Sequence, residues 1–141
     1  MDIDKKMGEL FADEDRARAM ARRLMELAKR DPTAAAKEKD SLLAFIRGPI
    51  EKHMQHEERV IFPKLVDHRL GPEVDVARKQ HGALRDEANN LEQATTVEGI
   101  ANAVFLAARL MLHHTNFECD YIYPELSRSE WTALMKETET A

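Results

Sequence analysis

The sequence predicts an all-α protein, an up-down-up-down four-helix bundle with a short extra C-terminal helix. Three observations predict it. Apolar residues recur at three- and four-residue intervals over four long stretches, the spacing of one helical face. The connections between those stretches are short, which makes neighbouring helices antiparallel. Only five Gly and five Pro interrupt the 141 residues, of which 43% are hydrophobic and 33% charged. That composition suits a helical chain able to bury a real core, read here as one domain over residues 1–141.

The elements follow in order. A first helix from about Asp4 to Arg30 carries Met7, Leu10, Ala17, Ala21, Leu24 and Ala28 on its core face, and Asp31-Pro32 stops it. A second, from about Thr33 to Leu65, buries Leu42, Leu43, Phe45, Ile46, Ile50 and Ile61. Gly48-Pro49 must kink or interrupt it, because Pro49 has no N–H to donate to residue 45. Arg69-Leu-Gly71-Pro72 is a turn, with Pro72 placed to open the third helix, about Pro72 to Gln93. The stripe of that helix is Val74, Ala77, Leu84, Ala88 and Leu91. Thr95-Thr96 offers an N-cap for a fourth helix, about Val97 to Tyr123, with Ile100, Ala103, Ala107, Leu110 and Tyr121 or Ile122 facing inward. Ser127-Arg-Ser-Glu130 reads as a capping box for a last short helix with Trp131, Leu134 and Met135. This exposed segment either caps the bundle or contacts another subunit.

Charge and composition exclude several classes of function. The net charge is −5, and the 21 Lys and Arg residues are not concentrated on one face, so nothing offers a phosphate-neutralising groove for nucleic acid. No apolar run approaches the roughly 20 residues of a membrane span, and the acidic, broken N-terminus lacks the apolar core of a signal peptide. A single cysteine forms no internal disulfide and fits a reducing compartment. The expectation is a cytoplasmic protein.

One pattern occurs twice. His53-Met-Gln-His-Glu57-Glu-Arg-Val-Ile-Phe62-Pro63 returns as His114-Thr-Asn-Phe-Glu118-Cys-Asp-Tyr-Ile-Tyr123-Pro124, and both the histidines and the glutamates are offset by 61 residues. A spacing of four sets imidazole and carboxylate one turn apart on one helical face. Neutral nitrogen beside anionic oxygen suits a first-row transition metal. The other two long helices each interrupt their apolar stripe with one polar residue: Glu14 between Leu10 and Ala17, and His81 between Ala77 and Leu84. A charge buried there costs several kcal/mol unless it is paired, hydrogen-bonded or metal-bound. Glu14, His53, Glu57, His81, His114 and Glu118 are therefore six inward polar groups, and with two carboxylates able to bridge they fit two metal ions better than one.

Plainer readings compete. A lone core histidine is usually hydrogen-bonded structure, and one His-x-x-x-Glu pair alone is a common solvated face. The doubled motif with its shared aromatic-proline ending, joined by two more inward groups, outweighs them. His56 and Glu58 lie beside the ligand stripe, in solvated or supporting positions. His113 sits about 100° round the helix from His114, His68 falls in a turn, and Cys119 reads as a small packing residue. Tyr121 and Tyr123 near Glu118 read as packing at the bundle end. Asp15 rivals Glu14, but turning Asp15 inward would drag Arg18 and Arg22 toward the core.

With these residues the chain resembles the hemerythrin-like (HHE cation-binding) domain family, over about Glu9 to Leu126. The resemblance implies a four-helix bundle around a non-haem centre of two iron ions. It makes Glu57 and Glu118 the bridges, puts His81 and His114 on one iron and leaves His53 to the other. Two departures stand out. The family has a histidine in the first helix where this chain offers Glu14 or Asp15. The oxygen carriers place a second histidine four residues from the one on the third helix, where this chain has Ala77 and Arg85. Three histidines with three carboxylates make a harder, more anionic set, which favours Fe³⁺ or Mn, or a mixed pair, and stabilises the oxidised state. The resemblance thus points to a dimetal protein that handles or senses oxygen, nitric oxide or iron, with a small diatomic molecule or peroxide as its partner. A di-iron oxidase- or peroxidase-like enzyme and a structural bundle with a degenerate site are the alternatives. Oligomeric state is open at this point, a homodimer included.

Overall fold

Asp2 accepts hydrogen bonds from the N–H groups of Asp4 and Lys5 and starts α1 (Ile3–Arg30). Along α1, Ala17, Ala21 and Leu24 are wholly buried. Asp31 then serves twice. Its N–H closes α1 onto the Leu27 carbonyl, while its side chain accepts from Ala34 N–H and caps the five-residue α2 (Pro32–Ala36). The computed structural model describes residues 2–140, which are helical almost throughout, with no strand among the described residues.

The second stretch differs from the single kinked helix that the periodicity predicts. It runs as α2, a turn at Lys37 and Glu38, α3 (Lys39–Phe45), a π turn (Ile46–Ile50), α4 (Glu51–His56), a second π turn (Glu57–Ile61) and α5 (Phe62–Asp67). The first π turn holds Pro49 and is the expected response to a missing N–H, since the wider turn absorbs the lost i→i−4 bond. The break at Lys37 and Glu38 carries no Gly or Pro. It follows from packing: α2 lies against α1 and α7, whereas α3 and α5 lie against α6. Lys39 secures the new direction by donating to the Glu92 and Ala94 carbonyls at the end of α6.

Arg69 joins α5 to α6 (Gly71–Gln93) in the left-handed region, with φ 69°. Leu70 N–H then reaches the Leu65 carbonyl at 3.0 Å, the closure that usually uses glycine. Thr96 caps α7 (Val97–Tyr121) by accepting from Gly99 N–H. A side chain on Gly99 would meet that threonine oxygen at 2.8 Å. Helix α7 ends two residues before the position the pattern predicts, where Tyr123–Glu125 form a 3₁₀ turn containing Pro124. The predicted capping box forms: Glu130 N–H donates to Ser127 Oγ and Ser127 N–H donates to Glu130 Oε1, opening α8 (Arg128–Thr140).

Helix α7 packs against both α1 and α6. Two apolar clusters fill the interior. One holds Ala17, Leu24, Leu42, Met54, Leu84, Leu91 and Met111; the other holds Ile61, Phe62, Leu65, Ala77, Ile122, Trp131 and Leu134. Along every long segment the polar residue or pair of interest falls between a member of the first cluster and a member of the second. Of the two roles expected for the C-terminal segment, the structure shows the first, covering the bundle, although the segment is not exposed at its tryptophan: Trp131 is 4% exposed, and its Nε1 donates to the Tyr123 carbonyl at 2.9 Å. Among the described residues no helix is long and apolar enough to cross a membrane.

Candidate metal centre

The six residues singled out from helical phase meet in one layer between the two apolar clusters. Glu14, Glu57, His81, His114 and Glu118 are buried, and His53 is half-buried at the rim. The choice between the acidic residues of α1 is clear. Glu14 is 3% exposed, while Asp15 points outward and pairs with Arg18. His113, His68 and His56 are exposed.

The ligand atoms fall into two groups, each with its atoms within 4.8 Å of one another: Glu57, His81, His114 and Glu118, and Glu14, His53 and Glu118. In the first, His81 Nε2 and His114 Nε2 stand 3.1 Å apart. Glu118 Oε1 is 2.5 Å from His114 Nε2 and 3.8 Å from His81 Nε2. In the second, His53 Nε2 lies 3.3 Å from Glu14 Oε1. Glu57 Oε1 sits 3.4 Å from both His53 Nε2 and His81 Nε2, between the two groups.

The far side of each imidazole is also held. His114 Nδ1 donates to Gln80 Oε1 at 2.7 Å, and His81 Nδ1 donates to Glu58 Oε2 at 2.6 Å. With the outer proton held on Nδ1, each imidazole that gives up its inner proton to a cation turns an Nε2 lone pair inward. Two nitrogen lone pairs and several carboxylate oxygens thus converge on one small volume. Glu14 Oε2, His53 Nε2, Glu57 Oε1 and Glu118 Oε1 are buried there without a hydrogen-bond partner. Such groups stay buried only when positive charge, as protons or as a cation, lies among them. This donor set of imidazole nitrogen and carboxylate oxygen fits a first-row transition metal.

Electrostatics separates the carboxylates in the metal-free chain. Burial, reinforced by the charge of Glu118, pushes Glu57 well above the ordinary carboxylate range. Burial also raises Glu14, against the pull of His53 3.3 Å away. Glu118 is buried as deeply, but the charge of His114 and the close approach of the His114 and His81 imidazoles outweigh that burial and hold it well below 4.5. His53 loses to burial but gains more from Glu14, Glu118 and Asp13, so it stands above 6.5.

Three contributors were not recognised in the sequence. Tyr123, read as packing, donates its hydroxyl to Glu118 Oε2 at 2.9 Å and lies 3.5 Å from Glu14 Oε1. Burial and the three nearby carboxylates keep that phenol protonated, well above its ordinary value. Gln80 and Arg85 act through partners on other segments, and Arg85 turns away from the centre toward Glu51 and Glu58. The shared aromatic-proline ending was the one signal in the sequence that pointed at Tyr123.

The family model of the Hemerythrin HHE cation binding domain matches residues 7–126, which include all six residues. No curated protein and no solved structure matches the chain.

Proposed function

The chain belongs to the hemerythrin HHE cation-binding domain family, and on that premise we propose that it is a dimetal, di-iron protein that handles or senses oxygen or nitric oxide. In this reading Glu57 and Glu118 would serve both ions. His81 and His114 would complete one position, and His53 with Glu14 would serve the other. The four long helical segments form an up-down-up-down bundle within a single domain. The observation that carries the reading is the set of unpartnered buried atoms on Glu14, His53, Glu57 and Glu118, which two cations would satisfy together.

Bound iron would supply reversible one-electron chemistry and affinity for diatomic ligands. The chain's own residues hold and shield that chemistry. Gln80 and Glu58 fix the two inner imidazoles, and Tyr123 holds Glu118 by its second oxygen. Beside His53 and His114 lies a cavity lined by Ala17, Ile50, Met54, Leu84 and Met111. Its volume is about 10 Å³, close to the least that admits one water on that measure, about 10–15 Å³. That space has no room for an organic substrate, which favours binding or sensing of a molecule of a few atoms over an organic oxidase.

Metal analysis with absorption spectra of protein purified aerobically and anaerobically tests the reading. Two irons per chain and a ligand-to-metal absorption that changes with oxygen or nitric oxide are expected. A chain that takes up no iron overturns it, and rapid peroxide turnover would favour a peroxidase-like enzyme.

A further inference from the structure

Two consecutive glutamates hold one imidazole from opposite sides. Glu57 Oε1 lies 3.4 Å from His81 Nε2, and Glu58 Oε2 lies 2.6 Å from His81 Nδ1. Neighbouring side chains on a helix diverge by about 100°. Both reach the same ring because His81, fully buried on α6, is wedged between them. Glu58 is itself anchored. Arg85, one turn beyond His81 on α6, stands 3.0 Å from Glu58 Oε2 and donates to Glu58 Oε1 at 3.2 Å. The same guanidinium makes a two-point bond to Glu51, with both distances 2.8 Å.

An ordinary strut between α4 and α6 needs only Arg85 and Glu51, whose fork-to-fork contact is already complete. Glu58 adds something different, since its shortest contact is to the imidazole and not to the arginine. A carboxylate on the outer N–H of a ligating histidine fixes the tautomer, stops ring rotation and raises the basicity of the inner nitrogen.

We propose that Glu58, held by Arg85, is a positioning residue that fixes His81 as the Nδ1–H tautomer and aims its Nε2 into the cluster. This rests on the reading of the cluster as a metal centre. The Glu51–Arg85–Glu58 chain is then the outer support of the metal position containing His81 and His114.

The test titrates Zn²⁺ into metal-free protein against a competing chelator. It also records imidazole nitrogen NMR of the metal-free and zinc-loaded chains. Glu58→Gln, which keeps an acceptor but loses the charge, is expected to weaken the tighter zinc position about tenfold with the tautomer retained. Glu58→Leu is expected to weaken it by up to about a hundredfold and to leave His81 a tautomer mixture. Glu51→Gln is expected to lower stability without changing the tautomer, and the exposed control Glu92→Gln to change neither. Wild-type zinc affinity together with an unchanged His81 tautomer in Glu58→Leu overturns the proposal. So does an equal zinc loss in Glu51→Gln and Glu58→Gln, which would make Glu58 a strut. A wild-type chain that binds no zinc overturns the metal reading alone, and the tautomer of the metal-free variants still decides the role of Glu58.

Discussion

The two copies of the repeated motif share their spacing, yet the fold treats them differently. In the first copy, Glu57 opens a π turn; in the second, Glu118 lies within the regular helix α7. The matching aromatic is Phe62 in one and Tyr123 in the other. Phe62 stacks on His81 with ring centroids 5.4 Å apart, whereas Tyr123 hydrogen-bonds Glu118. One hydroxyl and one wide turn break the pseudo-symmetry. Oε1 of both glutamates lacks a hydrogen-bond partner, but Glu118 also has Tyr123 on Oε2 and His114 beside it; burial drives Glu57 toward protonation, while Glu118 is held well below its ordinary value. A repeated sequence therefore supplies two similar ligand pairs with opposite electrostatic characters.

The largest expected effect comes from removing the residue common to both groups. Glu118→Ala should lose most of the bound metal, whereas His113→Ala, one position from His114 but exposed, should lose almost none. Equal loss in the two variants, by metal analysis, would show the helical phase to be wrong. Removing the metal itself comes next. Chelation should lower the melting temperature by roughly 10 °C, corresponding to about 3–4 kcal/mol of binding linkage when metal exceeds Kd by 100- to 1,000-fold. An unchanged calorimetric melt would remove the cation from the core.

Glu14→Ala should empty one metal position and spare the other, with Asp15→Ala close to neutral in the same metal analysis. The reverse ranking would give the ligand role to Asp15. Tyr123→Phe makes the second copy resemble the first and should cost about 1–2 kcal/mol, read as a lower denaturation midpoint. The smallest effect is in pH dependence of the metal-free chain. Glu57 stands above its unfolded value of 4.5, so its stabilising contribution is full below 4.5 and is lost as pH rises through the raised folded value. Glu118 stands below 4.5, so its contribution is present above 4.5 and is lost only as pH falls through its depressed folded value. Melting temperature should therefore rise on acidification from neutral pH toward about 4.5 and fall beyond it. Glu57→Gln should flatten the first slope; an unaltered slope would place the effect elsewhere.

Periodicity carried the buried polar layer because each of those residues interrupts an otherwise apolar stripe on its own helix. Arg18 and Arg22 settled the phase of α1 in the same way, since no core accepts them. The clamp of Glu51, Arg85 and Glu58 was not legible, because it spans two segments more than 20 residues apart. Nor was the break at Lys37 and Glu38: the residues before it, Ala34–Ala36, favour helix, and only contact with α1 and α7 ends it. The second π turn holds no Gly or Pro itself, but Pro63 just beyond it, which cannot donate to the carbonyl of residue 59, was a mark that the periodicity did not use.

The family pattern stops at residue 126, and α8 lies wholly beyond it. The indole of Trp131 nevertheless holds the backbone of Tyr123, whose hydroxyl holds Glu118. The C-terminal helix is thus tied, through one side chain and two hydrogen bonds, to an oxygen of the central carboxylate, so the bundle's lid and its buried polar layer share a fastening.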